Sequence, residues 1–194
     1  MNTSTQTNSS ATSSSPAQPS NPTNFEKVQE FSRVFGVPTH NTPQTDIFTK
    51  DPALTKLRLD LVTEECQELV DAVKEHNFTE VVDALADILY VVYGAASSFG
   101  VDLDKAFDIV HRSNMSKVCK SEEEAQRTVT WYTTHMADTY PTPSYRRSDC
   151  GRYWVVFNKD SGKILKSVAY TPAKFDMEEL GLNQGGKQVE KNEL

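Results

Sequence analysis

The 194 residues carry 37% apolar side chains, enough for one ordinary hydrophobic core and too few for two independent domains of typical size. A net charge of -7 with no basic run argues against a nucleic-acid polymer as partner, so a phosphate-bearing substrate would need locally placed cations, from side chains or from metal ions. Three widely spaced cysteines without a CxxC pattern exclude a disulfide framework and a zinc knuckle; with no secretory signal and no uninterrupted apolar run of membrane length, the expected location is intracellular and cytoplasmic, with no membrane partner.

Residues 1–24 are mostly Ser, Thr, Asn, Gln and Pro without a charged side chain, a composition that cannot offset ordering entropy by burial and predicts a disordered tail. Thr23 and Glu26 have capping-box spacing, and Phe25, Val28, Phe31 and Phe35 follow at helical intervals until Gly36-Val37-Pro38. A polar loop over 39–50 leads to Asp51-Pro52, a helix start. From 53 to 75, Leu54, Leu57, Leu61, Val62, Leu69, Val70 and Val73 recur with helical period. The next helix, 79–99, is apolar nearly all round, the pattern of a helix buried by its neighbours. Gly100 suits its end, Asp102 caps another start, and Leu103, Phe107 and Val110 carry a further helix to about 115.

Beyond Lys117 the pattern changes: a short helix over 121–136, a loop over 140–150, and a β-hairpin pairing 153–157 with 163–168 around Asp160-Ser161-Gly162. The expected architecture is all-α, a four- to five-helix bundle over 25–118 with a C-terminal appendage over 119–180 that contains the hairpin, and a flexible tail over 181–194.

The acids stand where apolar residues belong. Extending the stripe Leu54, Leu57, Leu61 by steps of three or four lands on Glu64 or Glu65, then Glu68, then Ala72. The 79–99 helix repeats the anomaly with Glu80, Asp83 and Asp87, and no Lys or Arg occurs between Glu75 and Asp104 to neutralise them. Carboxylates brought together in a helical bundle take up protons or capture cations, and an oxygen-only donor set favours Mg²⁺ or Mn²⁺ over zinc. The competing reading of a Glu-Glu-x-x-Glu string is a solvated helix face, which accounts for either acidic helix alone better than for both.

His111, Arg112, Asn114 and Lys117 cluster near the end of the fourth helix. Cations there complement the helix dipole; equally, Arg112 and Lys117 can grip a phosphate with Asn114 as a donor and His111 beside them. Tyr90 and Tyr93 suit the core or the face of a nucleobase.

At these positions the chain resembles the all-α nucleotide pyrophosphohydrolase superfamily, which includes MazG, the phosphoribosyl-ATP pyrophosphohydrolases and the dimeric dUTPases. The matching text is 61–69 (LVTEECQEL) and 83–90 (DALADILY), and 110–117 (VHRSNMSK) is most similar to the MazG-like branch common in phages and viruses. Weaker echoes lie at 29–36 and 162–166. By that resemblance Glu65, Glu68 and Asp87 correspond to metal ligands. The family usually has Glu at the position of Ala84, so Asp83, one turn before Asp87, is taken as the fourth ligand, with Glu80 as the other acid nearby. The resemblance implies Mg²⁺-dependent cleavage of a nucleoside triphosphate between its α and β phosphates, with Glu64 orienting or deprotonating the attacking water. It also implies a homodimer or homotetramer in which a neighbouring subunit completes the pocket. Two alternatives stay open: a phosphoribosyl-ATP pyrophosphohydrolase of histidine synthesis, and a noncatalytic nucleotide-binding bundle, suggested by Ala84.

Overall fold

A computed structural model describes residues 21–175 and Leu180. Most of the tails read from the sequence, 1–20 and 181–194, lie outside the described residues. Helix α1 (Asn24–Phe35) starts at the expected capping box: the Thr23 hydroxyl accepts from the Glu26 amide at 3.2 Å and the Glu26 carboxylate accepts from the Thr23 amide at 2.7 Å. A one-turn helix α2 (Ile47–Lys50) interrupts the stretch expected to be loop, because Ile47 buries its side chain there. Helix α3 (Pro52–Lys74) is capped by Asp51, whose carboxylate accepts from the Leu54 amide at 2.9 Å. Asn77 caps α4 (Phe78–Phe99) and Asp102 caps α5 (Leu103–Met115). Helix α4 ends at Gly100, with φ of 73°; a Cβ at this position would lie 1.9 Å from the Thr42 carbonyl oxygen, so only glycine fits.

Helices α3 and α4 form a hairpin and share the most extensive contact between elements; α1 lies across α4, with Phe25 against Tyr93 and Phe31 edge-on to Tyr90. The loop after α1 is tied to the end of α4, where the His40 amide donates to the Ser97 carbonyl at 3.0 Å. Arg58 is 9% exposed and donates from Nε to the Ser98 hydroxyl at 2.9 Å; that hydroxyl donates in turn to the Pro38 carbonyl at 3.0 Å. The inward line of α3 therefore runs through Leu54, Arg58 and Ala72, and Leu57, expected on that line, is 50% exposed. Arg58 takes the position because it supplies the donor that the buried Ser98 accepts, which a leucine could not.

Helix α4 is not enclosed as its composition predicts. Val82, Leu85 and Leu89 are 53%, 48% and 55% exposed, and Phe78 continues the same stripe at spacings of four, three and four. On α3, Leu59, Val70 and Val73 are exposed as well. By length and composition α4 could cross a bilayer. Glu80, Asp83 and Asp87 in its first half hid that length from a search for uninterrupted apolar runs, and they set this half of the helix against water.

The appendage has its own small core. Helix α6 (Glu122–His135) packs against strands β1 (Pro143–Arg147) and β2 (Trp154–Asn158), and Cys119, Ala125, Tyr132, Val156 and Leu165 are buried between them. The antiparallel partner of β2 is 143–147, in the stretch expected to be loop, with Tyr145 opposite Val156. The hairpin expected with 163–168 is reduced to the Phe157–Ile164 bridge and single bonds beside it. β1 wins because Tyr145 and Trp154 pack against this core while the Tyr145 hydroxyl reaches α6, donating to Glu122 and accepting from Gln126.

Candidate active site

The α3–α4 hairpin decides whether the two acidic edges meet. Glu64, Glu65 and Glu68 lie on α3, and Asp83 and Asp87 on α4. Glu65 is half-buried in the hairpin; the other four are exposed. Burial raises the Glu65 carboxyl above the ordinary carboxylate range, and the negative charges of Glu68, Asp87, Glu64 and Asp83 raise it further. Both α4 acids are thus electrostatic neighbours of Glu65, across the interface of the two helices. All four of these charges are negative.

Among the described residues no three Asp, Glu, His or Cys side chains stand close enough to form an assembled metal cage. The five carboxylates are a neighbouring set of like charge, whose oxygen-only chemistry fits a hard divalent cation. Ala84 is 3% exposed and sits in the helix contact, so the position where the family has Glu is filled here by a methyl group. Asp83 stands exposed beside it. Glu80 is in the first turn of α4, where its amide is held by Asn77. An open hollow of about 510 Å³, lined by Phe78, Thr79, Glu80, Val82, Asp83 and Ala86, joins these acids to the exposed apolar stripe.

The second group expected from sequence lies toward the end of α5. Lys117 Nζ donates to Asn114 Oδ1 at 2.7 Å, so a cation and an amide are presented together. His111 is exposed. Arg112 lines a cleft of about 350 Å³ with Ile109, Ser113, Ser116, Thr171, Pro172, Ala173 and Lys174. The returning chain is strapped to α5 there: the Ser113 hydroxyl meets the Tyr170 hydroxyl at 3.1 Å, and the Thr171 amide donates to Ser116 Oγ at 2.9 Å. Ser113, Ser116 and Lys174 were not legible as site neighbours, because the contact joins segments more than fifty residues apart. The acids of the α3–α4 hairpin and the polar residues at the end of α5 lie on different elements of the bundle.

A mostly helical fold with two carboxylate-bearing helices in one hairpin defines the class as an all-α, acid-lined bundle. Residues 28–114 match the profile of the phosphoribosyl-ATP pyrophosphohydrolase family. The chain is also 32% identical to Uncharacterized protein L479 of Acanthamoeba polyphaga mimivirus, in an alignment of 236 positions covering 79% of this chain and 94% of the relative. The chain belongs to the phosphoribosyl-ATP pyrophosphohydrolase (MazG-like) family. Membership implies pyrophosphohydrolase-type activity on a nucleotide, in a family that is typically metal-dependent.

Proposed function

We propose that the protein hydrolyses a nucleoside triphosphate between the α and β phosphates, giving a monophosphate and pyrophosphate, with Mg²⁺ or Mn²⁺ as cofactor. The observation that carries this reading is the placement of Asp83 and Asp87 within the electrostatic reach of Glu65, which gives one carboxylate field drawn from two helices. Glu65, Glu68, Asp83 and Asp87 would hold the cations. Bound divalent ions would neutralise the phosphate chain and acidify water at the site. Glu64, exposed next to the half-buried Glu65, would accept a proton from the water that attacks the α phosphorus. Lys117 and Asn114 are the cation and donor for the phosphate chain, with Arg112 and His111 at the same end of α5.

The bare apolar stripe on α4 supports a homodimer or homotetramer. A second copy laid against Phe78, Val82, Leu85 and Leu89 would cover apolar surface and stand beside Asp83 across the shared hollow. The three free cysteines, two of them exposed, support an intracellular location.

The test is pyrophosphate release from a panel of standard and damaged nucleotides with Mg²⁺. At least one should be cleaved, and Glu68→Gln should abolish the release while circular dichroism is unchanged; full activity in that variant would reject the site. The family description favours a second reading, phosphoribosyl-ATP as substrate. Including it in the panel, with rescue of a histidine auxotroph, decides between the two. Binding of a nonhydrolysable triphosphate without turnover of any member would favour a noncatalytic role.

A further inference from the structure

Charge is divided unevenly along this chain. Residues 21–115 hold eight Lys and Arg against sixteen Asp and Glu, whereas residues 116–175 hold ten against six. The net -7 therefore conceals a cationic appendage on an acidic bundle. Backbone pairing collects much of that charge at one end of the small sheet. Trp154 pairs with Cys119 on one side and with Arg147 on the other, which brings Lys120, Arg146, Arg147 and Tyr153 to the same edge. Neighbouring strands lie about 4.8 Å apart, so the three segments span roughly 10 Å. Arg152, in the connection between β1 and β2, joins them.

These cations are interleaved with rings. Arg147 lies 5.9 Å from the centre of the Trp154 ring and Arg152 5.8 Å from that of Tyr153; farther along the appendage Lys163 lies 5.1 Å from Tyr140 and Lys166 4.5 Å from Tyr170. All four of these contacts fall within the span 116–175. Lys120, Arg146, Arg147 and Arg152 are exposed, and Tyr153 and Trp154 are partly so. Two acids at this end are already engaged: Asp149 accepts from Arg146 at 2.7 Å and Glu122 from the Tyr145 hydroxyl at 3.2 Å. Arg147 is steadied by donation from Nε to the Gly151 carbonyl at 2.9 Å.

We propose that this end of the appendage binds single-stranded nucleic acid. An unpaired strand offers phosphates to the arginines and lysine and a π-face to the partly exposed Tyr153, the combination that such strands are held by. A duplex hides its base faces, and an acidic protein surface would use the cations but not the rings. The site is separate from the carboxylate field and does not rest on the hydrolase reading.

The test uses the full-length chain and fluorescein-labelled twenty-nucleotide oligo(dT) and oligo(U), followed by fluorescence anisotropy between 50 and 200 mM salt. With three or four phosphates neutralised, log K against log salt should fall with a slope of about -2 to -3. Arg147→Ala/Arg152→Ala should weaken binding about tenfold or more. Tyr153→Ala should weaken it about fivefold or more. Pyrophosphate release from a free nucleotide should stay within about twofold of wild type in these variants, which separates this proposal from the previous one. No binding by the wild-type chain at 50 mM salt would overturn it. So would unchanged oligonucleotide affinity in Arg147→Glu/Arg152→Glu accompanied by a shift in sedimentation, which would give the patch to the acidic bundle of a second copy.

Discussion

The sharpest test of the carboxylate field is that it should weaken the fold when no cation is bound. Asp87 feels the negative charge of Glu65 across the helix contact and stands four residues after Asp83 on its own helix. One exposed like-charge pair between neighbouring helical positions costs about 0.2–0.5 kcal/mol. Two such pairs put the relief from Asp87→Asn at roughly 0.5–1 kcal/mol, a rise in Tm of about 1–4 °C for a chain of this size. Differential scanning fluorimetry in EDTA measures it. Asp60→Asn is the control: Asp60 accepts from Lys56 at 2.5 Å, so its removal should lower stability by a few tenths of a kcal/mol. Adding Mg²⁺ at a hundred times its Kd should stabilise the wild type by about 2.7 kcal/mol and the Asp87→Asn variant much less. A lower Tm for Asp87→Asn in EDTA, or an equal response of both proteins to Mg²⁺, would show that the acids do not form one field.

Three further outcomes are expected. Leu85→Arg, on the bare stripe of α4, should convert the proposed oligomer to monomer in size-exclusion chromatography with light scattering, and an unchanged mass would move the interface elsewhere. Gly100→Ala should destabilise the chain by at least about 1–2 kcal/mol, because it forces a left-handed backbone onto alanine and drives its Cβ into the Thr42 carbonyl; a denaturant melt reads this directly. Hydrogen bonds from Ser148 and from the Arg152 backbone and side chain bring the Cys150 thiol down to about 7. Its thiolate fraction, and hence alkylation by iodoacetamide, should rise through pH 7 and level off above it, while buried Cys119, pushed up by desolvation, stays unmodified in peptide mass spectra.

Much of the helical architecture was legible because its signals are local. The capping box at Thr23, the caps at Asp51 and Asp102 and the left-handed glycine at Gly100 each act within about four residues, and each stands in the structure where the sequence puts it. The acidic anomaly was legible for the same reason, since spacings of three and four place side chains on one helix face whatever surrounds the helix. The burial of α4 was misjudged because composition reports the need for cover and not whether this chain supplies it. The appendage does hold a two-stranded antiparallel hairpin, but one of its strands was misassigned because Asp160-Ser161-Gly162 is a good turn on its own, while the choice of strand partner depends on the remote core formed by Tyr132, Val156 and Leu165.

What the sequence determined by itself was the run of helices, their ends, and two faces rich in carboxylates. The tertiary structure decided how those helices are rotated about their axes: Arg58 inward in place of Leu57, Glu65 half-buried within reach of Asp83 and Asp87, and Ala84 closed into the seam. Helical period fixes which residues share a face. Only packing against a second helix fixes which way that face points, because the choice minimises exposed apolar area and unmet polar groups over the whole hairpin at once.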